Sequence, residues 1–361
     1  MKKLEMKKAL ESIAVPVIAV LIALLISGFI ILAIGKNPIK AYGVLLHGAF
    51  GNKQAIIDTL IKTTPLILTG LAVGFGFRAG VFNIGAEGQM AMGALMAATF
   101  ASNFGGLPPA VAIPLTILIG MGAGAGWAAI AGYLKAKTGA HEVVTTIMLN
   151  WITTYLASFM VTGPLATGSG TPKSPEIAQS AQLPVLMRVG AMELSAGILI
   201  SIAAAVFMYV FLNKTTTGYE IKAVGFNPYA AEYGGISVAK NVVLAMAISG
   251  ALAGLAGVTE LMGVHHRFLG ELSGGKGFDG ISIALIGQNN PIGIIFAALL
   301  IGALRTGSNE MQFMGVSKYI VIIVQGIVIF LVAADRIVKA IYARKKVNYL
   351  RLKSRASKSL S

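Results

Sequence analysis

Polar and apolar residues along this chain alternate in long blocks. A polar opening, Met1 to Glu11, carries Lys2, Lys3, Lys7 and Lys8, and residues 13–34 are then almost wholly apolar. A positive start ahead of an apolar run resembles a signal peptide. This run, however, is long enough for a full bilayer and no small-x-small cleavage site follows, so an uncleaved first helix is expected. Further apolar stretches cover residues 64–77, 84–101, 109–134, 143–161, 195–212, 242–262, 278–287, 292–304 and 319–334. The pattern predicts an all-α membrane protein of about ten transmembrane helices.

Several of these stretches fall short of the ~20 residues a straight crossing needs. The shortest, 278–287, ends in Gln288-Asn289-Asn290-Pro291. In transporters, short or interrupted segments are places where backbone groups line a cavity instead of facing lipid. Val81 to Gly88 and Gly277 to Ser282 each set an aromatic residue and an Asn or Asp beside glycines, ahead of a short apolar stretch. That likeness suggests a trace of an internal repeat.

Composition supports the membrane reading. Charged residues are 12% and hydrophobic residues 56% of 361, with a mean hydropathy of +0.78. Soluble domains carry roughly 25% charged residues, and half that charge would not cover a surface facing water. The 44 glycines read as helix packing. Gly120, Gly122, Gly124 and Gly126 make two overlapping G-x-x-x-G pairs, and Gly70/Gly74 and Gly250/Gly254 make two more. Small residues let helices approach closely in lipid. The absence of cysteine excludes disulfides, thiolate metal sites and cysteine nucleophiles.

A net charge of +15 would suggest nucleic acid in a soluble protein. No basic segment here is interleaved with aromatics as a nucleic-acid groove requires. With the N-terminus in the cytoplasm and ten alternating spans, most of the 29 Lys and Arg residues fall inside, as the positive-inside bias demands. The expected layout is a cytoplasmic N-terminus over 1–12, a transmembrane domain over 13–335 with a cytoplasmic loop at 213–241, and a basic cytoplasmic tail over 336–361. Both termini are then cytoplasmic.

Three polar segments are candidates for function. In the first, Asn83, Glu87 and Gln89 open a membrane span. A carboxylate at bilayer depth costs several kcal/mol unless it is paired or hydrated. Glu87 therefore lines a cavity or is tied to backbone N–H groups of a broken helix. In the second, Glu142, Thr146 and Asn150 are spaced four apart and share one helical face. Packing is the simpler reading for Glu142 and Thr146, and a pathway lining for the deeper Asn150. The third is the loop from Gly218 to Ser237. It reads as a short helix, Pro228 to Tyr233, capped by Asn227, which either docks into a soluble partner or lies on the membrane surface.

Other signals fail. Gly270 to Lys276 fits G-x-x-x-x-G-K, but Gly277 stands where Ser or Thr is needed and no strand precedes it. His265 and His266 are adjacent and do not share a helical face as a metal pair would. Glu260 and Asp279 read as lone acids near span ends. No catalytic residues and no metal site are expected.

The strings Phe-Asn-Ile-Gly-Ala-Glu-Gly-Gln (82–89), His-Glu-Val-Val-Thr-Thr-Ile-Met-Leu-Asn (141–150) and Ala-Val-Gly-Phe-Asn-Pro-Tyr-Ala-Ala-Glu-Tyr-Gly-Gly-Ile (223–236) together resemble the permeases of bacterial ABC importers for simple sugars and nucleosides. The first two look most like the nucleoside branch; the ribose-type branch usually carries a different string at the first site. The resemblance implies a plasma-membrane permease subunit that is not itself an enzyme. It implies a second, related permease, a cytoplasmic ATPase that binds ATP and magnesium, and an extracytoplasmic lipoprotein that delivers substrate. This chain would bind no cofactor. Asn83, Glu87, Gln89, Asn150 and Trp151 would serve the substrate pathway, offering amides and an aromatic face to a nucleoside. Lys222, Gly225, Asn227, Ala231 and Tyr233 would form the coupling segment on the ATPase. Lys222 stands where the family usually has Arg, which keeps the charge and loses the bidentate fork. The alternatives are an ABC permease for a sugar such as ribose, and a proton-coupled secondary transporter using Glu87, Glu142 or Glu260 as a relay.

Overall fold

The computed structural model describes residues 2–331 other than 169, 170, 271, 318, 321, 325 and 328, with side chains from residue 18 onward. The expected basic tail, 336–361, lies outside the described residues. Residues 39–318 form one compact unit, and 1–38 with 319–361 the other.

The smaller unit holds α1 (Lys2–Ala33). Ala19, Ala23, Ser27 and Ile31, four apart, are buried, whereas Leu21, Leu25 and Phe29 are exposed. The described positions within 319–331 are also helical.

The larger unit carries the rest. Helix α2 (Pro38–Phe50) was not expected as an element, and α3 (Lys53–Arg78) begins well before the apolar stretch that announced it. Its start is set by Asn52, whose side chain accepts the Ala55 N–H at 2.8 Å, an N-cap of ordinary form. Then come α4 (Ala86–Ala101), α5 (Pro109–Thr138) and α6 (Glu142–Thr162). Residues 163–196 hold a departure from the all-α expectation: strands β1 (Val185–Val189) and β2 (Met192–Ser195) pair as an antiparallel hairpin. Helices α7 (Gly197–Lys214), α8 (Thr216–Phe226), α9 (Pro228–Tyr233) and α10 (Val238–Glu260) follow. Helix α10 runs into a single π turn, Leu261–His265, stopped by His266 at φ 53°. Helices α11 (Lys276–Ile286) and α12 (Pro291–Phe313) close the unit.

Six helices are long and apolar enough to cross a membrane, namely α3, α5, α6, α7, α10 with its π turn, and α12; a seventh is counted if 18–33 and Pro38–Phe50 are taken as one crossing. Helices α4 and α11 are too short to do so alone. At 1.5 Å per residue they reach about 24 Å and about 16 Å, against a hydrocarbon core of about 30 Å. Both are bounded by left-handed backbone turns. Gly80 (φ 72°) precedes α4, Gly275 (φ 79°) precedes α11, and Gln288 and Asn289 (φ 53° and 54°) follow α11.

The packing repeats itself. Helix α10 packs on α4 and α5, and α3 packs on α11 and α12, while α4 meets α5 and α11 meets α12. Exchanging α3, α4 and α5 for α10, α11 and α12 preserves this pattern, which pairs the two sequence segments that looked alike. One set of glycines makes the closest contact. An added β-carbon on Gly93 would lie 2.9 Å from the Gly120 carbonyl oxygen, and one on Gly124 2.9 Å from the Gly254 α-carbon. Gly122 and Gly126 meet nothing within 4 Å, so of the two overlapping pairs in α5 one is used for packing.

Candidate functional site

The segment between α3 and α4 is held largely by side chains the pattern had singled out, with Ser249 added. Asn83 and Gln89, both buried, face each other as a reciprocal amide pair. Asn83 Nδ2 donates to Gln89 Oε1 at 2.8 Å, and Gln89 Nε2 donates to Asn83 Oδ1 at 2.9 Å. Asn83 Nδ2 also donates to Ser249 Oγ at 2.8 Å, and Ser249 passes its own hydrogen to the Ala72 carbonyl at 2.6 Å. The Gly85 N–H completes the set on Asn83 Oδ1 at 2.9 Å. The pair thus ties α3, α4 and α10 together, with the polar demand of two buried amides met locally.

Helix α6 clamps the same segment from the other side. Glu142, Thr146 and Asn150 are all buried, as the spacing of four required. Glu142 Oε1 accepts the Phe82 N–H at 3.3 Å while Oε2 pairs with Lys135 at 2.6 Å. Asn150 accepts the Gly88 N–H at 2.9 Å and donates to the Ile84 carbonyl at 3.1 Å. Asn150 therefore satisfies backbone at the opening of α4. Trp151, its neighbour, points to the opposite face of α6 and is 60% exposed. The structure brings Asn83, Glu87, Gln89 and Asn150 around one helix start and leaves Trp151 apart from them.

Glu87 joins the two short helices. Its carboxylate accepts the N–H groups of Gly275 at 2.8 Å and Gly277 at 2.7 Å, at the start of α11. A carboxylate there complements the positive end of the helix dipole. Gly277 fits because it has no side chain: a β-carbon on it would come 2.7 Å from the Ala86 carbonyl carbon. Of the two sequence readings for Glu87, the geometry supplies the backbone N–H groups of a broken helix. They belong to α11 and the residue before it.

Glu260 and Asp279 are not lone acids. Glu260 pairs with His265 at 3.3 Å and with Lys276 at 3.1 Å, and Asp279 pairs with Arg305. Arg305 had escaped notice in its apolar context, and Lys276 had been weighed only as part of a failed phosphate-loop string; each lies well along the chain from its partner. The only signal was the rarity of any charge within a membrane span.

The segment from Thr215 to Tyr233 folds as its caps direct. Thr215 accepts the Gly218 N–H at 3.0 Å to start α8, and Asn227 accepts the Ala230 N–H at 3.1 Å to start α9. Gly225 lies against the Arg78–Gly80 turn that ends α3. Ala231 is buried, and Lys222 donates to Asn213 Oδ1 at 3.3 Å. Tyr219, Phe226, Tyr229 and Tyr233 are exposed, the last by 97%. Tyr219 and Phe226 edge a groove of about 840 Å³ lined also by Asn213, Glu220, Asn227 and Ala230.

Residues 55–333 match the family described as the branched-chain amino acid transport system / permease component. The guanosine ABC transporter permease protein NupP of Bacillus subtilis is 38% identical over 94% of this chain and 99% of its own. The glucose ABC transporter permease protein TsgB13 of Haloferax volcanii is 35% identical over 89% of this chain and 87% of its own. A second guanosine permease of Bacillus subtilis, NupQ, is 33% identical over 68% of this chain and 78% of its own. No solved structure matches. The chain belongs to the branched-chain amino acid transport system / permease component family, as a multi-pass membrane permease of the ABC-transporter type.

Proposed function

We propose that this chain forms one half of the membrane channel of an ATP-driven nucleoside importer in the bacterial plasma membrane. The observation that carries the substrate is the 38% identity over nearly all of a guanosine permease. Two related permeases of one organism are both named for guanosine and both resemble this chain, which supports a pair of unlike permeases. The 35% identity to a glucose permease keeps a sugar as the second reading.

In this reading α4 and α11 are short crossings shielded from lipid by their neighbours, and with α1, 319–334 and the six long helices they make up ten spans. The N-terminus and the basic tail lie inside, on the side of Lys135, Lys137, Lys214 and Lys222. A cytoplasmic ATPase with ATP and magnesium docks on the aromatic rim of α8 and α9, and an extracytoplasmic lipoprotein delivers substrate to the opposite face. Gly225 passes the movement of α8 to the Arg78–Gly80 turn. From there it reaches the junction held by Asn83, Glu87, Gln89 and Asn150, which borders the pathway. ATP drives the cycle only by favouring one of two arrangements over the other.

The test is uptake of radiolabelled nucleosides and pentoses by cells with and without this gene, before and after ATP depletion. Loss of nucleoside uptake alone, with dependence on ATP, is the expected result. Loss of pentose uptake instead would move the substrate to sugars. Uptake that survives ATP depletion and collapses with an uncoupler would overturn the ATP-driven class.

A further inference from the structure

Helix α11 is held at both of its ends by one short stretch of chain. It runs beside the last turns of α3 and in the same direction. An added β-carbon on Gly280 would lie 2.7 Å from the Thr69 carbonyl oxygen, and one on Gly74 3.5 Å from the Ala284 β-carbon and 3.6 Å from the Asn289 α-carbon. Where α3 ends, Arg78 Nε donates to the Asn289 carbonyl at 3.0 Å, just past the end of α11. The chain then turns back, and Glu87 accepts the Gly275 and Gly277 N–H groups at the start of α11. The cation thus stands near the negative end of the helix dipole and the anion at its positive end.

The turn that follows α11 is costly and is held from outside. Gln288 and Asn289 take successive left-handed conformations, φ 53° and 54°, in which a side chain crowds the backbone. Such residues persist where their surroundings hold them, and they cluster in segments that switch. Asn289 is buried, and among the described residues its Oδ1 has no hydrogen-bond partner, a further cost of this arrangement. Against these costs stand the Asn289 N–H on the Ala284 carbonyl at 2.7 Å and the Arg78 contact. Gly225 of α8 lies directly on the backbone of residues 78–80, so α8 touches the stretch from which α11 is gripped.

We propose that Arg78 is the positioning residue through which a movement of α8 reaches α11. Helix α11 and the 78–87 stretch shift as one body, and the Gln288–Asn289 turn takes up the bend. This rests on the ATP-driven reading and adds to it the helix that moves. The route leaves the junction by the guanidinium and bypasses the Asn83–Gln89 pair. It ends on a helix whose Lys276 pairs with Glu260 of α10 and whose Asp279 pairs with Arg305 of α12, so a shift of α11 is felt by two long helices.

The test uses the complete transporter in lipid vesicles with its ATPase and binding protein. Arg78→Gln should lower the guanosine moved per ATP hydrolysed about tenfold, while hydrolysis continues. Arg78→Lys, which keeps a cation and a donor, should recover part of the ratio. Asn289→Gly keeps the accepting carbonyl and suits the left-handed backbone, so it should keep the wild-type ratio. An arginine that served folding alone would reduce the amount of active transporter and leave the ratio unchanged, which would overturn the proposal. The chain has no cysteine, so α11 can also be followed directly. Nitroxide labels on Phe278→Cys of α11 and Leu118→Cys of α5, both exposed positions, report the distance between the two helices with and without a non-hydrolysable ATP analogue. A shift with Arg78 in place that is absent in Arg78→Gln is expected. A shift that persists in Arg78→Gln, or no shift in either, would overturn the proposal. The label distances need no substrate, and ATP-dependent guanosine uptake by the wild type judges the import reading separately.

Discussion

Gly225 of α8 rests its α-carbon on the turn at Gly80, so closely that a β-carbon on Gly80 would come 2.9 Å from it. A β-carbon on Gly225 would in turn meet the Arg78 carbonyl oxygen and come 2.9 Å from the Ala79 carbonyl carbon. All of these are backbone atoms and cannot swing aside. Gly225→Ala should therefore cost about 1–3 kcal/mol of stability through overpacking, seen as earlier thermal unfolding of the solubilised permease. It should also lower the ratio of substrate moved to ATP hydrolysed by the assembled transporter. Gly122→Ala, where nothing lies within 4 Å, should leave both unchanged. An unaltered ratio in Gly225→Ala would mean that movement reaches the membrane helices by another route.

Glu87 accepts two N–H groups, one per carboxylate oxygen. A glutamine keeps one acceptor and turns an NH₂ group toward the other donor. Glu87→Gln should lose about 1–3 kcal/mol, and Glu87→Ala more, since both N–H groups at the α11 start then lack a partner. Thermal unfolding of the purified permease would measure this. Equal midpoints for wild type and Glu87→Ala would show that water serves those donors as well.

Asn83 and Gln89 satisfy each other, so they should be coupled in energy. Either single change to alanine strands a buried amide, while the double change strands fewer groups than the two singles together. A double-mutant cycle on unfolding midpoints should give an interaction of about 1 kcal/mol or more. Simple additivity would mean that Ser249 and the Gly85 N–H dominate the site.

The Asp279–Arg305 pair is mostly buried, with side chains 13% and 28% exposed. Arg305→Met would leave a carboxylate uncompensated and should cost about 3–5 kcal/mol, most simply seen as loss of protein from the membrane fraction. Adding Asp279→Asn should restore part of the yield, because the stranded charge is gone. If the double variant accumulates no better than Arg305→Met, the arginine acts by its packing and not by neutralising Asp279.

Much of the helical framework was legible because lipid demands it. Helices α4 to α7 and α10 begin and end close to the apolar stretches, and Asn227 caps α9 as its Asn-Pro start implies. The first turns of α3 were missed because Lys53, Asp58 and Lys62 interrupt the apolar pattern; Asp58 and Lys62 pair with each other at 2.8 Å, and Ile57, Thr59 and Thr63 are buried. The hairpin at 185–195 was missed because Arg188 and Glu193 make a short strand pattern look like loop. They are cross-strand partners joined by an ion pair at 2.5 Å.

The polar residues divide differently. Their importance was visible from the sequence alone, because an amide or a carboxylate inside an apolar run carries a large desolvation cost and has to be answered by something. The answer was not visible. Glu87 meets Gly275 and Gly277, Asn83 meets Ser249, and Lys276 meets Glu260 only after α3, α4, α10 and α11 have packed, and the partners lie on different helices. The spacing of Glu142, Thr146 and Asn150 determined that they share a face. Which face turned inward, and so which one was left to Trp151 and Tyr155, was decided by the backbone groups around Phe82 and Gly88. A broken helix exposes N–H and C=O groups that lipid cannot satisfy, and α6 presents the side chains that can.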